Sequence, residues 1–305
     1  LSACGSNKKR TPTPTPAPAP APTPTPQPVE TDYQVMLDNA VGDALPAVAV
    51  SISGPEIDFV GAAGLADIET QSPMQTYSLM PAGSAGKKAT ALLVATLHNE
   101  GLIDIDNLIS TWLPQSLLSQ IPHSDAMTLR QLMNHTAGVH DYLDDDTAGE
   151  WFESGIANIS ELKTDIDALQ FILNKPAYFE PGQGYQYSNT GYLLAGLIMD
   201  EVLGEHHHSA LRTRILNELG MNTSYYNGIE KDLGDIISGY TLFDDDIENT
   251  REFYDNVGVA DAPLASTVSE LTTLMEAIVS DDSPLDEAVR EMIVGQDAWI
   301  DTNLA

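Results

Sequence analysis

Apolar residues change their spacing once along this chain. Residues 46–53, Pro-Ala-Val-Ala-Val-Ser-Ile-Ser, are apolar, rich in β-branched side chains, and stop at Gly54-Pro55. Residues 57–65 repeat the pattern, so the spacing predicts two strands folded back as a hairpin. From residue 84 onward the period is helical. Ser84 to Glu100 predicts a helix with Leu93 and Leu97 on its apolar face and Gly101 as its stop. Thr128 to Asn134 predicts a short helix capped by Thr128. Asp165 to Leu173 predicts another, closed by Lys175-Pro176, and Thr190 to Leu203 a strongly apolar one ending at Gly204. Thr267 and Glu270 stand as a capping box ahead of Leu271. Strands early and helices late, without βαβ alternation, predict an α+β chain. No run of about 18 apolar residues occurs, so a membrane-spanning helix is not expected.

The first thirty residues carry no such pattern. Residues 11–28 alternate Thr, Ala or Gln with nine prolines. Proline fixes φ and removes a donor, which leaves polyproline II, reaching roughly 55 Å at about 3.1 Å per residue. Ahead of it, Leu1-Ser2-Ala3-Cys4-Gly5-Ser6 resembles a bacterial lipobox after removal of a signal peptide, which implies lipidation of Cys4. Cys4 is the sole cysteine, so no disulfide forms within the chain. The expected organisation is an anchor and tether over 1–30 and a folded part over 31–305, held at a bacterial envelope facing periplasm or exterior.

Charge narrows the partners. Of 305 residues, 45 are acidic and 13 basic, and residues 31–305 alone carry 44 acids against 10 bases. Phosphate backbones would be repelled, so nucleic acid is excluded as a partner. A basic face for anionic lipid is lacking too, which leaves a lipid on Cys4 as the only membrane contact expected.

The candidate chemistry sits in Gly83-Ser84-Ala85-Gly86-Lys87. A three-residue spacing at a helix start places Lys87 one turn above Ser84 on one face. The helix N-terminus adds partial positive charge near the serine oxygen. A lysine so placed can take the serine proton and activate it. By itself Ser-x-x-Lys is a weak signal, equally suited to a capping serine followed by solvated lysines.

The surrounding segments give the signal its context. Pro81 to Thr90, His98-Asn99-Glu100-Gly101-Leu102-Ile103-Asp104, Thr128 to Gly138 with His135-Thr136-Ala137-Gly138, Phe179 to Asn189 with Tyr187-Ser188-Asn189, and Ala265-Ser266-Thr267 follow one another in order. Together they resemble the serine β-lactamase and penicillin-binding-protein superfamily, in its class C, D-alanyl-D-alanine carboxypeptidase and esterase branch. The resemblance spans about residues 40 to 295. It implies a β-lactamase/transpeptidase-like fold, an antiparallel sheet flanked by helices plus an all-helical lobe. It implies Ser84 as nucleophile, Lys87 as its proton-accepting neighbour and Tyr187 as a second acid/base group. Asn189 would hydrogen-bond Lys87 and the substrate, and it also suits the cap of the helix starting at Thr190. No cofactor or metal is implied.

Two departures stand against that likeness. Lys88 occupies a position where the family usually has Thr or Ser. No Lys-Thr-Gly or His-x-Gly strand follows residue 208, so the chain is expected to be C-terminally incomplete, without the closing strands and the second oxyanion donor. Losing one such donor costs about 10²–10³ in rate, so these residues are expected to turn over activated esters poorly. His206-His207-His208 do not share one helix face, which argues for a solvated loop or a helix start rather than a zinc site. His135 and His140 read as turn and loop residues. The expected function is an exported serine hydrolase acting through an acyl-enzyme on D-Ala peptides, β-lactams or small esters. A non-catalytic envelope lipoprotein using the same fold to bind is the alternative. An α/β-hydrolase is disfavoured, because no histidine follows residue 208.

Overall fold

A computed structural model describes residues 31–42, 44–243 and 246–295. The expected lipidation site Cys4 and the proline tract lie outside the described residues. The hairpin forms as the pattern requires: β1 (Ala47–Gly54) pairs antiparallel with β2 (Ile57–Asp67), Gly54 opposite Ile57 and Ala47 opposite Gly64. A short β3 (Ser72–Pro73) extends the sheet on the far side of β2. Helix α1 (Tyr33–Ala40) covers β2, and the Val268–Val279 helix packs on β1. A second antiparallel sheet joins β4 (Met80–Pro81) to Leu264–Ser266 and then to Tyr225–Tyr226. The architecture is α+β, with helices dominating after residue 84. Among the described residues no helix is long and apolar enough to cross a membrane.

Helix α2 (Lys87–Asn99) runs through the centre. Ala89, Leu92, Leu93, Val94 and Leu97 are all buried, and they meet Leu193, Leu194, Ile198 and Met199 of the Thr190–Leu203 helix within one continuous core. Truncating any one of these leucines to alanine would cost about 2–5 kcal/mol. Burial around most of its circumference makes α2 a fixed post, and the site is built on its first turn.

Several expectations change in detail. Ser84 does not open α2: Gly83–Gly86 form a 3-10 turn, and the α-helix starts at Lys87. The predicted Asp165–Leu173 helix is α-helical only over Asp165–Leu169 and 3-10 over Gln170–Ile172. Thr128 does cap its helix, reciprocally with Gln131. Thr267 caps the Val268–Val279 helix through the Glu270 N–H, but Glu270 does not reach back. Its carboxylate instead accepts from the N–H groups of Thr223 and Ser224 and from the Ser224 hydroxyl. Asn189 occupies the cap position before Thr190 without capping, since its side chain is used elsewhere. The three histidines form a helix start and not a solvated loop, with His207 at the cap position before the His208–Leu211 helix. His207 is 1 % exposed, set between Asp200 (Nδ1 to Oδ1 2.7 Å) and the Tyr226 hydroxyl (Nε2 to Oη 2.8 Å).

Candidate active site

Backbone geometry places Ser84 before any side chain does. Strand β4 is held by Leu264–Ser266, and the next residue, Ala82, donates its N–H to the Leu264 carbonyl at 2.8 Å. The turn carrying Ser84 is therefore tied to the segment around residue 264. Gly86 lets the two approach: a Cβ there would stand 2.9 Å from Pro263 Cδ and 3.3 Å from its nitrogen. Thr90, one turn further, donates to the Ala260 carbonyl at 2.7 Å. Together these contacts seat the start of α2 against residues 260–264.

Four predicted residues meet there. Lys87 Nζ is 3.2 Å from Ser84 Oγ, and the Tyr187 hydroxyl donates to the same oxygen at 3.1 Å. Lys87 also donates to Asn189 Oδ1 at 2.7 Å and to the Asp261 carbonyl at 2.8 Å. The Asp261 carboxylate faces it at 3.4 Å as an ion pair. Lys87 and Asp261 are 4 % and 3 % exposed, whereas Ser84 is open and Tyr187 is 38 % exposed. Asn189 is buried and both ends of its amide are occupied, since Nδ2 donates to Asp141 Oδ2 at 2.8 Å.

Three further residues shape the site: the sequence offered little to mark Asp261 and Asp141, and it marked His135 only as a turn residue of the His135-Thr136-Ala137-Gly138 segment. Asp261 interrupts the apolar run Val257–Leu264, which is the only trace it leaves. Burial pushes its carboxyl up from the ordinary value, opposed by the Lys87 charge and by the Tyr142 hydroxyl, which donates at 3.2 Å. Asp141 is also pushed up by burial and held back by N–H donors from Leu143 and Asn189. His135 is the third. It sits at φ +63° in the turn, and its ring lies 4.4 Å from the Tyr187 ring. Its Nδ1 accepts from the Ser188 N–H at 3.3 Å, and its carbonyl accepts from Gln186. Burial, then the charge of Lys87, pushes its imidazole down to about 4, so the ring is a neutral support for the Tyr187 loop. Gly138 closes the same turn at φ +72°, where a Cβ would stand 2.2 Å from the Phe179 carbonyl oxygen.

Ser84, Lys87, Tyr187 and His135 open onto a cleft of about 550 Å³, walled also by Lys88, Arg130, Met133 and Tyr185. Among the described residues, two groups elsewhere bring three ligating side chains within 4.8 Å of one another: Asp200, His206 and His207, and His140, Asp144 and Asp146. In the first, both His207 nitrogens are engaged in the core; in the second, Lys175 already pairs with Asp146 at 2.9 Å.

A serine-bearing turn ahead of a buried helix, a lysine and a tyrosine within hydrogen-bond distance of its oxygen, and an α+β frame together make up the site. The chain belongs to the beta-lactamase family, whose family model matches residues 36–304. It is 28 % identical over 249 residues to penicillin-binding protein 4* of Bacillus subtilis (strain 168), covering 76 % of this chain and 52 % of that protein. It is 30 % identical over 178 residues to esterase EstB of Burkholderia gladioli, covering 57 % of this chain and 45 % of the esterase. The chain thus spans about half the length of these relatives. A D-stereospecific amidohydrolase from Streptomyces sp. shares the fold, with a TM-score of 0.70, 23 % identity, and coverage of 86 % of this chain and 76 % of that one.

Proposed function

We propose that this protein is a serine hydrolase that works through an acyl-enzyme formed on Ser84. The observation that carries the reading is the convergence of Lys87 Nζ and the Tyr187 hydroxyl on Ser84 Oγ, at 3.2 and 3.1 Å. Lys87 directs its donors at oxygens of Ser84, Asn189 and Asp261, an arrangement that suits the ammonium. With its own hydroxyl proton passed to water, Tyr187 acts as the base: its phenolate oxygen takes the Ser84 proton and becomes the phenol, and the Lys87 ammonium, 5.4 Å from that ring's centre, offsets the phenolate charge before the transfer. The Ser84 oxygen bonds to the substrate carbonyl carbon, and the N–H of Ser84 faces the developing oxyanion. The bond to the leaving group breaks as Tyr187 returns the proton to it. Water repeats the cycle, releasing the acid and restoring Ser84.

The relatives' names point to penicillins and esters, while D-Ala peptides, with a peptidoglycan-peptide partner, rest on the sequence resemblance alone. Export and anchoring through Cys4 are part of the same proposal and rest on residues 1–28 alone; labelling cells with a clickable palmitate analogue tests them. For the chemistry, the full chain is incubated with a fluorescent penicillin and with an activated ester, and tryptic peptides are weighed. An acyl adduct on the peptide carrying Ser84, absent in Ser84→Ala, is the expected result. Single-turnover labelling registers even where deacylation is slow. A folded chain that is never labelled would overturn the hydrolase and leave the binding-module alternative.

A further inference from the structure

The cleft is charged against the rest of the molecule. The chain has a formal net charge of −32, yet among the described residues no Asp or Glu lines the 550 Å³ cleft, while Lys87, Lys88 and Arg130 do. Two of those charges have carboxylates behind them, Lys87 in Asp261 and Arg130 in Asp106. The Lys88 side chain has none. Every other Lys or Arg among the described residues is ion-paired or hydrogen-bonded through its side chain. Lys88 is exposed, one helical turn beyond Ser84, and makes neither kind of contact.

We infer that Lys88 is a specificity-determining residue that makes the Ser84 cleft prefer substrates bearing a carboxylate over their neutral counterparts. An exposed ammonium stays solvated and charged without a local partner, so the Lys88 charge is available to a carboxylate that enters the cleft. A cleft of one sign between low-dielectric walls concentrates the field along its length. The field of Lys88 does reach the opposite wall, where it adds to the downward push on the His135 imidazole. Distant surface carboxylates repel an approaching anion, but beyond the Debye length of about 8 Å at physiological salt they are screened, whereas a contact inside the cleft is not.

This inference rests on the hydrolase reading for its kinetic arm and not for its binding arm. In the first, the full chain hydrolyses two p-nitrophenyl esters that differ in one terminal group, the adipate monoester and its carboxamide counterpart, at about 0.15 M salt. The quantity read is the ratio of kcat/KM values within each variant, which cancels losses common to both substrates. The ratio is expected to favour the anion and to fall about five- to tenfold in Lys88→Gln, as for a charge pair in a partly desolvated cleft. It should fall further in Lys88→Glu and be kept in Lys88→Arg. In the second arm, Ser84→Ala binds a dansyl probe ending in carboxylate or carboxamide, followed by equilibrium dialysis, with and without Lys88→Gln. Tighter binding of the carboxylate probe, lost with Lys88→Gln, supports the inference whether or not turnover is found. Absence of ester hydrolysis alone would then count against the hydrolase reading and not this one. Ratios and affinities indifferent to Lys88→Gln and Lys88→Glu would overturn it.

Discussion

Asp261 does for Lys87 what a second lysine partner could not do from solvent. Both groups are buried, and the carboxylate holds the ammonium from one side while Asn189 holds it from another. Asp261→Asn is nearly the same shape, but its amide must either turn an N–H donor toward the Lys87 donors or flip and lose the Tyr142 hydroxyl. Either way the Lys87 nitrogen moves off Ser84, and displacements of about 1 Å cost on the order of 10²-fold in rate. Acylation of Ser84 in the folded variant is expected to slow about ten- to a hundredfold, measured in single turnover beside a calorimetric melt. A lower melting point with an unchanged acylation rate would make Asp261 a purely structural residue. Sequence reading reached Ser84, Lys87, Tyr187 and Asn189 because each lies in a short local pattern. It missed Asp261 because that residue's meaning is a contact across 174 positions, which no spacing shows.

Elements were legible where a cap or a stop marks them. The helix of Thr190–Leu203 ends as its glycine requires, with Gly204 at φ +70°. The capping box at Thr267 was half right, because the pattern cannot say where the Glu270 carboxylate goes when a better set of donors is near. That carboxylate pins the loop entering Tyr225–Tyr226, the strand that flanks Leu264–Ser266 and so, through β4, the turn bearing Ser84. Glu270→Gln keeps the size and sets an amide N–H₂ against backbone donors. A loss of about 1–3 kcal/mol is expected, seen as a drop of several degrees in the thermal midpoint by scanning calorimetry. A shift below one degree would mean the loop is held by its other contacts.

Across the whole molecule, buried carboxyls and half-buried imidazoles pull stability in opposite directions with pH. His206 is pushed down to about 4, chiefly by burial and then by His207, with Asp200 opposing and His208 adding. His135 is pushed down equally far. An unfolded histidine takes its proton near pH 6.5, and these folded ones do not until about 4. Their contribution is therefore complete above about pH 6.5 and is lost as the pH falls towards 4, at no more than about 1.4 kcal/mol per pH unit for each proton. Partial exposure makes the real slope smaller. Asp141 and Asp261, pushed up by burial, act the other way, since their protonated folded forms lose stability as the pH rises above the ordinary carboxylate value. Replacing His206 by glutamine should shrink the fall in melting temperature between pH 7 and pH 5, by calorimetry on both chains. An undiminished fall would assign the acid sensitivity elsewhere.

The burial of Lys87 against Asp261 bears on how such a chain ages in descent. Active-site residues are ordinarily a burden on the fold, and a lineage that no longer needs the chemistry sheds them freely. Here the two reacting neighbours differ. Ser84 is open and its loss leaves nothing stranded, whereas loss of the Lys87 ammonium strands a buried carboxylate, a change of about 3–5 kcal/mol. Selection for a folded chain alone therefore preserves the lysine and lets the serine drift. Among descendants and duplicates of this protein, Lys87 would record that the fold survives, and Ser84 that the proposed reaction does.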